Sequence, residues 1–504
     1  MPGRMHYADI DFLAPENEVV ISGMSGRFSE SANLDEFYEN LINHIDMITD
    51  DERRFPRGYN DIHISGKLKE IDKFDNQFFG QTAKYVEVMC PEMRMGMECA
   101  YEAIVDAGLS LELLRETRTG VYITNTIMDS YQAHHQDVHS MKGNVYIGNT
   151  NVMIASKIAF ALGLNGPAVS LDTACSSSLF AMDAALRAIR TGVIDQAIVG
   201  GITCHLNPFQ SGDFNVMPTL SQTHRRCKSF DASGDGFTRA EGGSYFLLQK
   251  KEDCRRSYGR IIHIRTNTDG KSETGFLAPW GWRHYEMLRD AYTEAKIDPR
   301  ELSYLECHGT GTRVGDPQEI LGLTTNNFVT KGRNKEWPLL IGSVKSNCGH
   351  CECASGSCSM TKILLSIKYG MIPANLHYKT PNPNIPALLD GTVKVVAENT
   401  PYDGGYIGIN SFGLGGANAH VIIGDTDTRH HKNSPAGKEP RLFIYAARTQ
   451  EGVNQILDFA LQHSQSLELQ ALLTPSACTE TYKMPVRCYA VLNGSKEIQE
   501  TQVR

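Results

Sequence analysis

Apolar strands alternate with amphipathic helices along most of this chain, and that alternation restricts the fold more than any other feature. Glu18–Ser22 (EVVIS) and Thr119–Thr124 (TGVYIT) are typical of buried strands, whereas Leu34–Ile45 and Val152–Leu162 have helical spacing. A longer helix is predicted over Tyr85–Ala107. Strands that alternate with helices usually form parallel β-α-β units, in which the helices cover a sheet. The sequence therefore predicts an α/β fold.

The second half of the chain repeats this pattern. It predicts strands and helices at Arg260–Thr268, Trp282–Ala295, Tyr304–Cys307, Leu339–Ser343, Ser355–Tyr369, Gly405–Asn410 and His420–Ile423. The strand–loop–helix segments LDTACSSSLF and LIGSVKSNCGHCECASGSCSM hold comparable places in the two halves. This correspondence indicates an internal duplication.

Charge and hydropathy exclude several classes of protein. The 504 residues include 49 basic and 58 acidic side chains, so the net charge is −9 and nucleic acid is not expected as a partner. Uninterrupted apolar windows of about 18 residues do not occur, which argues against insertion in a membrane. The N-terminal segment lacks the apolar core of a signal peptide. Thirteen cysteines without such a signal indicate reduced thiols and a cytoplasmic location.

A domain boundary is predicted near Asp425–Lys438, in the polar segment DTDTRHHKNSPAGKEP, which contains two prolines. Residues 1–425 would form the large domain. Residues 426–504 would form a small α/β domain, with a strand and a helix in RLFIYAARTQEGVNQILDFALQHS and another strand in PVRCYAVLNGS. We expect the chain to be a fragment of a larger multienzyme.

Cys175 lies where the predicted strand Ala168–Asp172 runs into the predicted helix Ser176–Thr191. The N-terminus of a helix stabilises a thiolate and lowers its pKa, and the free N–H groups can bind an oxyanion. The small neighbours in ACSSS leave room for a substrate. The local pattern favours a nucleophile but leaves a buried structural cysteine as the alternative.

Two histidines follow apolar strands and lie beside glycines. His308 comes after YLEC and before GTGT, and His350 comes after LLIGSV and the loop KSNCG. Ligands bind at the ends of strands in α/β sheets. A cysteine with two imidazoles is suited to acyl transfer onto the thiol, because the imidazoles can polarise a thioester carbonyl.

Four segments carry a family resemblance: DTACSSS, ECHGTGTRVGDPQE, GSVKSNCGH and NSFGLGGANAH resemble the motif blocks of the β-ketoacyl synthases of fatty-acid and polyketide synthesis. The resemblance covers about Glu18–Gly424. GMSGRF, SGKLKEIDKFDNQFFG and YEAIVDAG are similar to animal type I fatty-acid synthase and its polyketide-making relatives. HSQSLELQALL and MPVRCYAVLNGS resemble the linker domain between ketosynthase and acyltransferase. The implied architecture is the thiolase fold, with duplicated β-α-β-α-β layers (αβαβα), followed by a small α/β linker domain.

The resemblance implies an acyltransferase of the β-ketoacyl-[acyl carrier protein] synthase I type. Cys175 would hold the growing acyl chain. His308 and His350 would stabilise the enolate that forms when a malonyl or methylmalonyl unit loses CO2. Backbone N–H groups of Cys175 and Leu414 would form the oxyanion hole. No metal or cofactor is implied in this region, because CO2 loss drives the carbon–carbon bond formation.

Five further positions match family residues. By this resemblance Lys345 would support the histidines electrostatically, and Asp316 and Glu319 would position that lysine and the adjoining loop. Thr310 and Thr312 would hydrogen-bond the phosphopantetheine arm of the substrate.

The last motif departs from the family at Leu414, where a phenylalanine gate beside the nucleophile is usual. A smaller, branched residue predicts tolerance of bulkier or α-branched units, with a neutral apolar substitution as the alternative. Together with other scattered departures it favours, mildly, a fatty-acid-synthase-like polyketide synthase over an ordinary animal fatty acid synthase.

A second departure is the cysteine-rich segment CGHCECASGSC around His350. A structural zinc site needs four ligands at tetrahedral spacing, whereas these crowd one loop and one helix start, so we expect no metal and assign the cysteines to small buried spaces. The basic run Arg225, Arg226 and Lys228 is either a solvated loop or a contact for an acidic carrier protein. Trp280 and Trp282 either line an acyl channel or serve ordinary packing.

The expected partners are an acyl carrier protein, the acyltransferase and other domains of the same multienzyme, and a second copy of the chain in a homodimer. A thiolase-like or chalcone-synthase-like enzyme is the enzymatic alternative, but chalcone-type enzymes use asparagine where this chain has His350. A silent dimer scaffold is the non-enzymatic alternative, and a decarboxylase-only domain is a third. Both would lack a cysteine at position 175.

Overall fold

The computed structural model describes residues 14–58, 61–126, 129–134, 143–217, 219–272, 275–425, 441–463, 466, 484–492 and 498–503. The strands are β1 (Val19–Phe28), β2 (Ile48–Asp50), β3 (Ile64–Gly66), β4 (Thr119–Thr124), β5 (Ala168–Leu171), β6 (Gln196–Thr203), β7 (Gly242–Lys250), β8 (Gly259–Thr268), β9 (Leu302–Glu306), β10 (Leu339–Gly342), β11 (Met371–Ile372), β12 (Val393–Val395), β13 (Thr400–Pro401), β14 (Tyr406–Phe412), β15 (Ala417–Gly424), β16 (Arg441–Ala447), β17 (Val486–Leu492) and β18 (Ile498–Val503).

Helices occupy most of the intervals between these strands. They are α1 (Leu34–Ile42), α2 (Ala83–Val86), α3 (Pro91–Asp106), α4 (Leu111–Arg115), α5 (Asp129–His134), α6 (Val145–Gly148), α7 (Asn151–Leu162), α8 (Ser177–Arg190), α9 (Pro208–Val216), α10 (Gly281–Ala295), α11 (Gly315–Thr324), α12 (Lys345–Cys348), α13 (Ser355–Tyr369), α14 (Pro386–Asp390) and α15 (Gln450–Gln462). Within the described ranges, no helix combines the length and the apolarity needed to cross a bilayer.

An eleven-stranded sheet contains the internal duplication. Its order is β12-β10-β9-β14-β15-β8-β1-β7-β6-β4-β5. The run β5-β4-β6-β7-β1 and the run β10-β9-β14-β15-β8 use their strands in the same relative order, with two parallel pairings followed by two antiparallel ones. The halves join where Val19–Ile21 pair with Gly259–Ile261. This topology confirms the duplication that the sequence indicated.

The sheet is mixed rather than wholly parallel as the alternation of strands and helices suggested. β14 and β15 are joined by the short turn Gly413–Gly416, which is closed by a hydrogen bond from the Gly413 N–H to the Ala417 carbonyl at 2.7 Å. A connection of that length can join only antiparallel strands. The parallel strands, by contrast, are separated by helices.

The helix predicted over Tyr85–Ala107 is divided into α2 and α3. Pro91 is the first residue of α3, where its lack of an N–H costs nothing, whereas in a helix interior it would remove a hydrogen bond. The Cys90 sulphur accepts the free N–H of Met93 at 3.4 Å and caps the new helix. Pro91, a proline inside an apolar pattern, was therefore the sequence signal that the helix is divided at this position.

α8 and α13 are the central helices of the large domain. α8 packs on β4, β6 and β8, while α13 packs on β7 and β14, and the two helices contact each other. Every residue of α13 from Ser355 to Ile367 is buried. Both helices begin beside Cys175, because the Ser355 hydroxyl donates to the Cys175 carbonyl at 3.2 Å. The buried layer of the fold therefore fixes the position of this cysteine.

The C-terminal region forms a separate three-stranded sheet, β16-β17-β18, with α15 packed against it. Phe443, Tyr445 and Val453 contribute to its small core. Strand β18 was not predicted from the sequence. The Arg448 guanidinium pairs with the Asp75 carboxylate and links this sheet to the large domain.

Candidate active site

Cys175 lies in a strained turn between β5 and α8. Ala174, the residue before it, has a left-handed backbone with φ of 56°. The Asp172 carboxylate accepts the Ala174 N–H at 2.9 Å and holds the turn in this conformation. A residue without glycine's freedom persists in such a conformation only where its surroundings enforce it. The predicted strand–turn–helix geometry is present, and it presents the thiol at the start of α8.

The protonation of Cys175 differs from the sequence prediction. Burial raises the pKa of its thiol to about 11, and the nearby Glu352 carboxylate acts in the same direction. The backbone N–H of Leu414 and the Lys345 ammonium act to lower the pKa, as the helix start was expected to do, but their effect is smaller. Desolvation disfavours a charged sulphur more than these dipoles and charges favour it. The resting group is therefore a neutral thiol.

His350 lies within hydrogen-bond distance of this thiol, with Nε2 3.1 Å from the Cys175 sulphur. Cys175 Sγ and one ring nitrogen each of His308 and His350 all lie within 4.8 Å of one another. The structure thus brings the three predicted catalytic groups together, although Cys175 and His308 are more than 130 residues apart in the sequence.

Two backbone N–H groups fix the tautomers of these histidines. The Glu352 N–H donates to His350 Nδ1 at 3.0 Å, and the Phe412 N–H donates to His308 Nδ1 at 3.3 Å. A nitrogen that accepts a hydrogen bond carries no proton, so in each neutral ring the proton is on Nε2. Both histidines therefore present an N–H donor to the space beside the thiol.

Both imidazoles are held neutral. Burial, followed by the charge of Lys345, lowers the pKa of His350 to about 3, and the same two causes lower the pKa of His308. At neutral pH each ring is a single Nε2–H donor rather than a cation. These tautomers oppose metal binding through Nε2, because coordination would require the proton to move to Nδ1 against a backbone N–H.

Lys345 is a buried cation close to the three groups, with only 1% of its surface exposed. Among the described residues its Nζ has no hydrogen-bond partner. Asp316 and Glu319, which the resemblance assigned to positioning this lysine, do not hydrogen-bond it. The lysine acts on the site through its charge.

Glu319 holds the loop that carries His308. Its two carboxylate oxygens accept the N–H groups of His308 at 2.8 Å and Gly309 at 2.9 Å, and the Asn410 amide donates to it at 2.9 Å. These contacts tie the end of β9 to β14. Burial raises the pKa of Glu319.

Asp316 holds the next part of the same loop. Its oxygens accept the N–H groups of Phe230 at 2.8 Å and Gly311 at 3.0 Å, while burial raises its pKa to about 7. Thr310 and Thr312 follow in this loop, and their hydroxyls lie 3.1 Å apart. The loop that precedes α11 is thus held by two carboxylates from the first turns of that helix.

A cavity of about 1030 Å3 opens onto Cys175. Phe214, Phe237 and Phe276 give it apolar walls. Leu414, with 41% of its surface exposed, also lines it, as do Thr310 and Thr312, but neither Trp280 nor Trp282 does. A cavity of this size and lining can hold an acyl chain together with the arm that delivers it.

Sequence reasoning missed Glu352. Burial acts to raise the pKa of its carboxyl, but Arg239 at 2.5 Å and His205 outweigh burial and lower the pKa. Glu352 has a left-handed backbone with φ of 47°, and its N–H fixes the tautomer of His350. An acidic residue two positions after a candidate histidine, just before the predicted helix, was the signal that could have identified it.

The cysteines around His350 are buried free thiols in the core. In the part of the chain that the structure describes, Cys175, His308 and His350 are the group that satisfies the spacing of a three-ligand metal site.

The basic run Arg225, Arg226 and Lys228 is not an exposed patch, since Arg225 and Lys228 are buried and Arg226 pairs with Asp46 at 2.5 Å. It offers no free surface to an acidic carrier protein.

Comparison with known families agrees with this site. Residues 16–254 match the N-terminal domain of β-ketoacyl synthases, residues 258–379 match the C-terminal domain, and residues 381–491 match the ketoacyl-synthetase C-terminal extension. The chain belongs to the β-ketoacyl synthase family. It consists of a ketosynthase region followed by the linker extension.

Two relatives show where the chain stands within that family. It is 42% identical to a fatty acid synthase of Anser anser anser over 355 residues, which cover 70% of this chain and 99% of that sequence. It is 38% identical over 364 residues to a phenolphthiocerol/phthiocerol polyketide synthase of Mycobacterium tuberculosis, and these residues cover 71% of this chain and 19% of that one. The chain thus spans about a fifth of the polyketide synthase it resembles.

Solved structures show the same fold. An oxazolomycin ketosynthase domain of Streptomyces albus is 26% identical, with a TM-score of 0.83 and coverage of 94% of this chain and 86% of that one. The ketosynthase from module 6 of the bacillaene synthase of Bacillus subtilis is 30% identical, with a TM-score of 0.82 and coverage of 95% and 83%. The large domain has the thiolase fold.

Replacing Lys345 by methionine should shift the reactivity of Cys175 to higher pH, because the ammonium lowers the pKa of that thiol. The rate of iodoacetamide alkylation at Cys175 is measured against pH by peptide mass spectrometry, and the wild-type rate should rise until the pH approaches about 11. Lys394→Met, at an exposed position on β12, is the matched control. An identical profile for Lys345→Met and wild type would contradict the electrostatic role.

Proposed function

We propose that this chain catalyses a decarboxylative Claisen condensation between an acyl group on Cys175 and a malonyl or methylmalonyl unit on an acyl carrier protein. The observation that carries the proposal is the convergence of the Cys175 thiol with two histidines that are fixed as Nε2–H donors. We assign it to the β-ketoacyl synthase I type on the resemblance of its motifs, and the Cys, His and His of the site argue against a chalcone-type enzyme.

The first step is acyl transfer. The Cys175 sulphur attacks the carbonyl of an incoming acyl thioester, and the N–H groups of Leu414 and Cys175 stabilise the oxyanion. The carbon–sulphur bond to pantetheine then breaks. The proton that Cys175 loses ends on the departing pantetheine thiol, so the step is balanced.

The second step uses the histidines. The bond between the α-carbon and the carboxylate of the extender breaks and releases CO2, and the enolate oxygen accepts hydrogen bonds from His308 and His350. Donors already oriented in a buried site stabilise this charge without reorganisation, and Lys345 adds a positive potential. The enolate carbon then attacks the acyl group on Cys175. The carbon–sulphur bond breaks, the Cys175 thiolate that leaves takes up one proton from solvent, and the β-ketoacyl product remains on the carrier.

This sequence of steps needs no metal or cofactor of the protein's own, because the loss of CO2 drives the condensation and the protein supplies a nucleophile and dipoles. The substrates would arrive on phosphopantetheine, with Thr310 and Thr312 at the loop that would bind the arm.

We propose a domain boundary at 425/426. The acyltransferase and other domains of a larger multienzyme would follow in a cytoplasmic enzyme with reduced thiols.

Fatty-acid synthesis and polyketide synthesis are the two candidate pathways. The identity to the goose fatty acid synthase favours the first. Leu414, whose branched side chain faces the cavity where a phenylalanine is usual in the family, favours the second. We place the chain with the fatty-acid-synthase-like polyketide synthases on this second observation.

The proposal is tested by intact mass after incubation with a panel of straight and α-methyl-branched acyl thioesters. Wild type should gain the mass of the acyl group, and Cys175→Ala should gain none because it lacks the nucleophile. Cys254→Ala, which alters another partly exposed cysteine, is the control. If wild type forms no adduct with any thioester, the condensation proposal is wrong and a silent scaffold remains.

Leu414→Phe should narrow the range of acyl groups that load onto Cys175. A larger ring at the cavity should slow α-branched thioesters by about tenfold relative to straight ones, because pocket shape discriminates by such factors for small changes in volume. Loading rates for matched branched and straight thioesters provide the measurement. Equal selectivity in both proteins would leave residue 414 as a neutral apolar position.

We also propose a homodimer. In the described sheet β5 is an edge strand, and the adjoining helix α7 exposes Phe160 at 78% and Val152 at 57%. Edge strands and apolar faces of this kind mark association surfaces. Sedimentation should give twice the chain mass of 55.8 kDa. Phe160→Glu should weaken the dimer, whereas a monomer at all concentrations of wild type would refute it.

A further inference from the structure

A buried ion pair includes Glu306, which lies two residues before His308 in the chain. Lys362 Nζ on α13 is 2.6 Å from the Glu306 carboxylate at the end of β9, and at most 1% of either side chain is exposed. The Tyr304 hydroxyl donates to Glu306 at 2.9 Å and accepts from Lys362 at 2.8 Å. Burying two charges is costly unless each is fully paired, so an arrangement like this one is maintained by several contacts at once.

The second oxygen of Glu306 makes the contact that matters for the site. It accepts the backbone N–H of Val344 at 2.6 Å. Val344 is the residue from which α12 begins, and Lys345 is the first residue of that helix. Glu306 itself lies two residues before His308. One carboxylate therefore joins the strand that carries His308 to the turn that carries Lys345.

This join has an effect on Lys345 because no hydrogen bond anchors its ammonium among the described residues. The position of Nζ therefore depends on the backbone of α12 and on the packing around the side chain, which is 1% exposed. A shift in the start of α12 would move the charge relative to the two histidines. Cys175 is held by other contacts: the turn after β5, the start of α8, and the hydroxyls of Ser355 and Ser411, which donate to its carbonyl at 3.2 and 2.8 Å.

We propose that Glu306, neutralised by Lys362, is a positioning residue for the decarboxylation half of the reaction. Its carboxylate fixes the Val344 turn and thereby the distance of Lys345 from His308 and His350. This inference rests on the proposed condensation. It predicts that the two half-reactions, acyl loading of Cys175 and CO2 release from the extender, depend differently on the pair.

The test replaces both charges together, so that neither is left buried and alone. E306M/K362M removes the acceptor for the Val344 N–H, whereas E306Q/K362M keeps an acceptor and removes only the charges. Acyl loading is followed by intact mass, and decarboxylation by CO2 released from a malonyl thioester. E306M/K362M should load like wild type but release CO2 about 10- to 100-fold more slowly, since a small misplacement of a catalytic group has effects of this size. E306Q/K362M should recover most of the lost rate.

Asp106 offers a matched control. Its carboxylate accepts from Arg256 at 3.0 Å, from the Tyr258 hydroxyl at 3.1 Å and from the Met24 N–H at 2.9 Å. These are the same three kinds of donor, in a pair whose side chains are 28% and 24% exposed and do not line the cavity. D106L/R256M should lower thermal stability and leave the ratio of the two half-reactions unchanged. A loss of CO2 release in this variant as large as that in E306M/K362M would show a general effect of packing and overturn the inference.

V344P provides a second route to the same bond. Val344 has φ of −59°, which proline adopts, so the substitution removes the N–H that Glu306 accepts and keeps the ion pair. If E306M/K362M does not fold, V344P is the variant that tests the positioning role of Glu306. Selective loss of CO2 release in V344P supports the inference, whereas equal loss of both half-reactions, or no loss, overturns it. Failure of wild type to load any acyl group would instead refute the proposed condensation.

Discussion

Two backbone hydrogen bonds determine what this active site can do. The N–H groups of Glu352 and Phe412 occupy the Nδ1 atoms of His350 and His308, and so place the imidazole protons on the nitrogens that face the thiol. Rotation of either ring, or loss of either N–H, would turn a donor into an acceptor. Three segments contribute to this geometry: β14, the loop after α12 and the loop between β9 and α11. Together they aim two N–H donors at one point.

Burial sets the charge state of the same groups. The thiol and both imidazoles are neutral because desolvation disfavours their ions, and a buried lysine strengthens the effect on the histidines. The thiol and the two imidazoles are uncharged at rest, and the two rings offer oriented donors with a cation nearby. Negative charge that develops on a substrate oxygen is the species best accommodated there. This electrostatic arrangement suits an enolate.

The duplicated fold explains how distant segments reach one point. Each half of the large sheet ends its parallel strands toward the same region, and the central helices α8 and α13 both begin there. Cys175 comes from the first half, whereas His308, Lys345 and His350 come from the second. Buried polar contacts such as Glu306–Lys362 and Glu319–Asn410 then hold the separate loops in position relative to one another.

The sequence by itself determined the fold class, the internal duplication, the linker extension and the three groups that meet in the site, because apolar periodicity and motif residues are local properties. Most elements began and ended within a few residues of their predicted bounds, and the one divided helix had Pro91 as its signal. The sign of the pKa shift at Cys175 was predicted wrongly, since helix position can be read from neighbours in sequence whereas desolvation depends on residues far along the chain.

Only the tertiary structure decided the tautomers, the antiparallel strands and the partners of the buried carboxylates. The N–H that fixes His308 comes from Phe412, 104 residues later, and Lys362 meets Glu306 across 56 residues. Contacts over such separations arise from packing of whole elements and leave no mark in local spacing. The sequence therefore identified which groups take part, and the folded chain set their protonation, orientation and mutual distance.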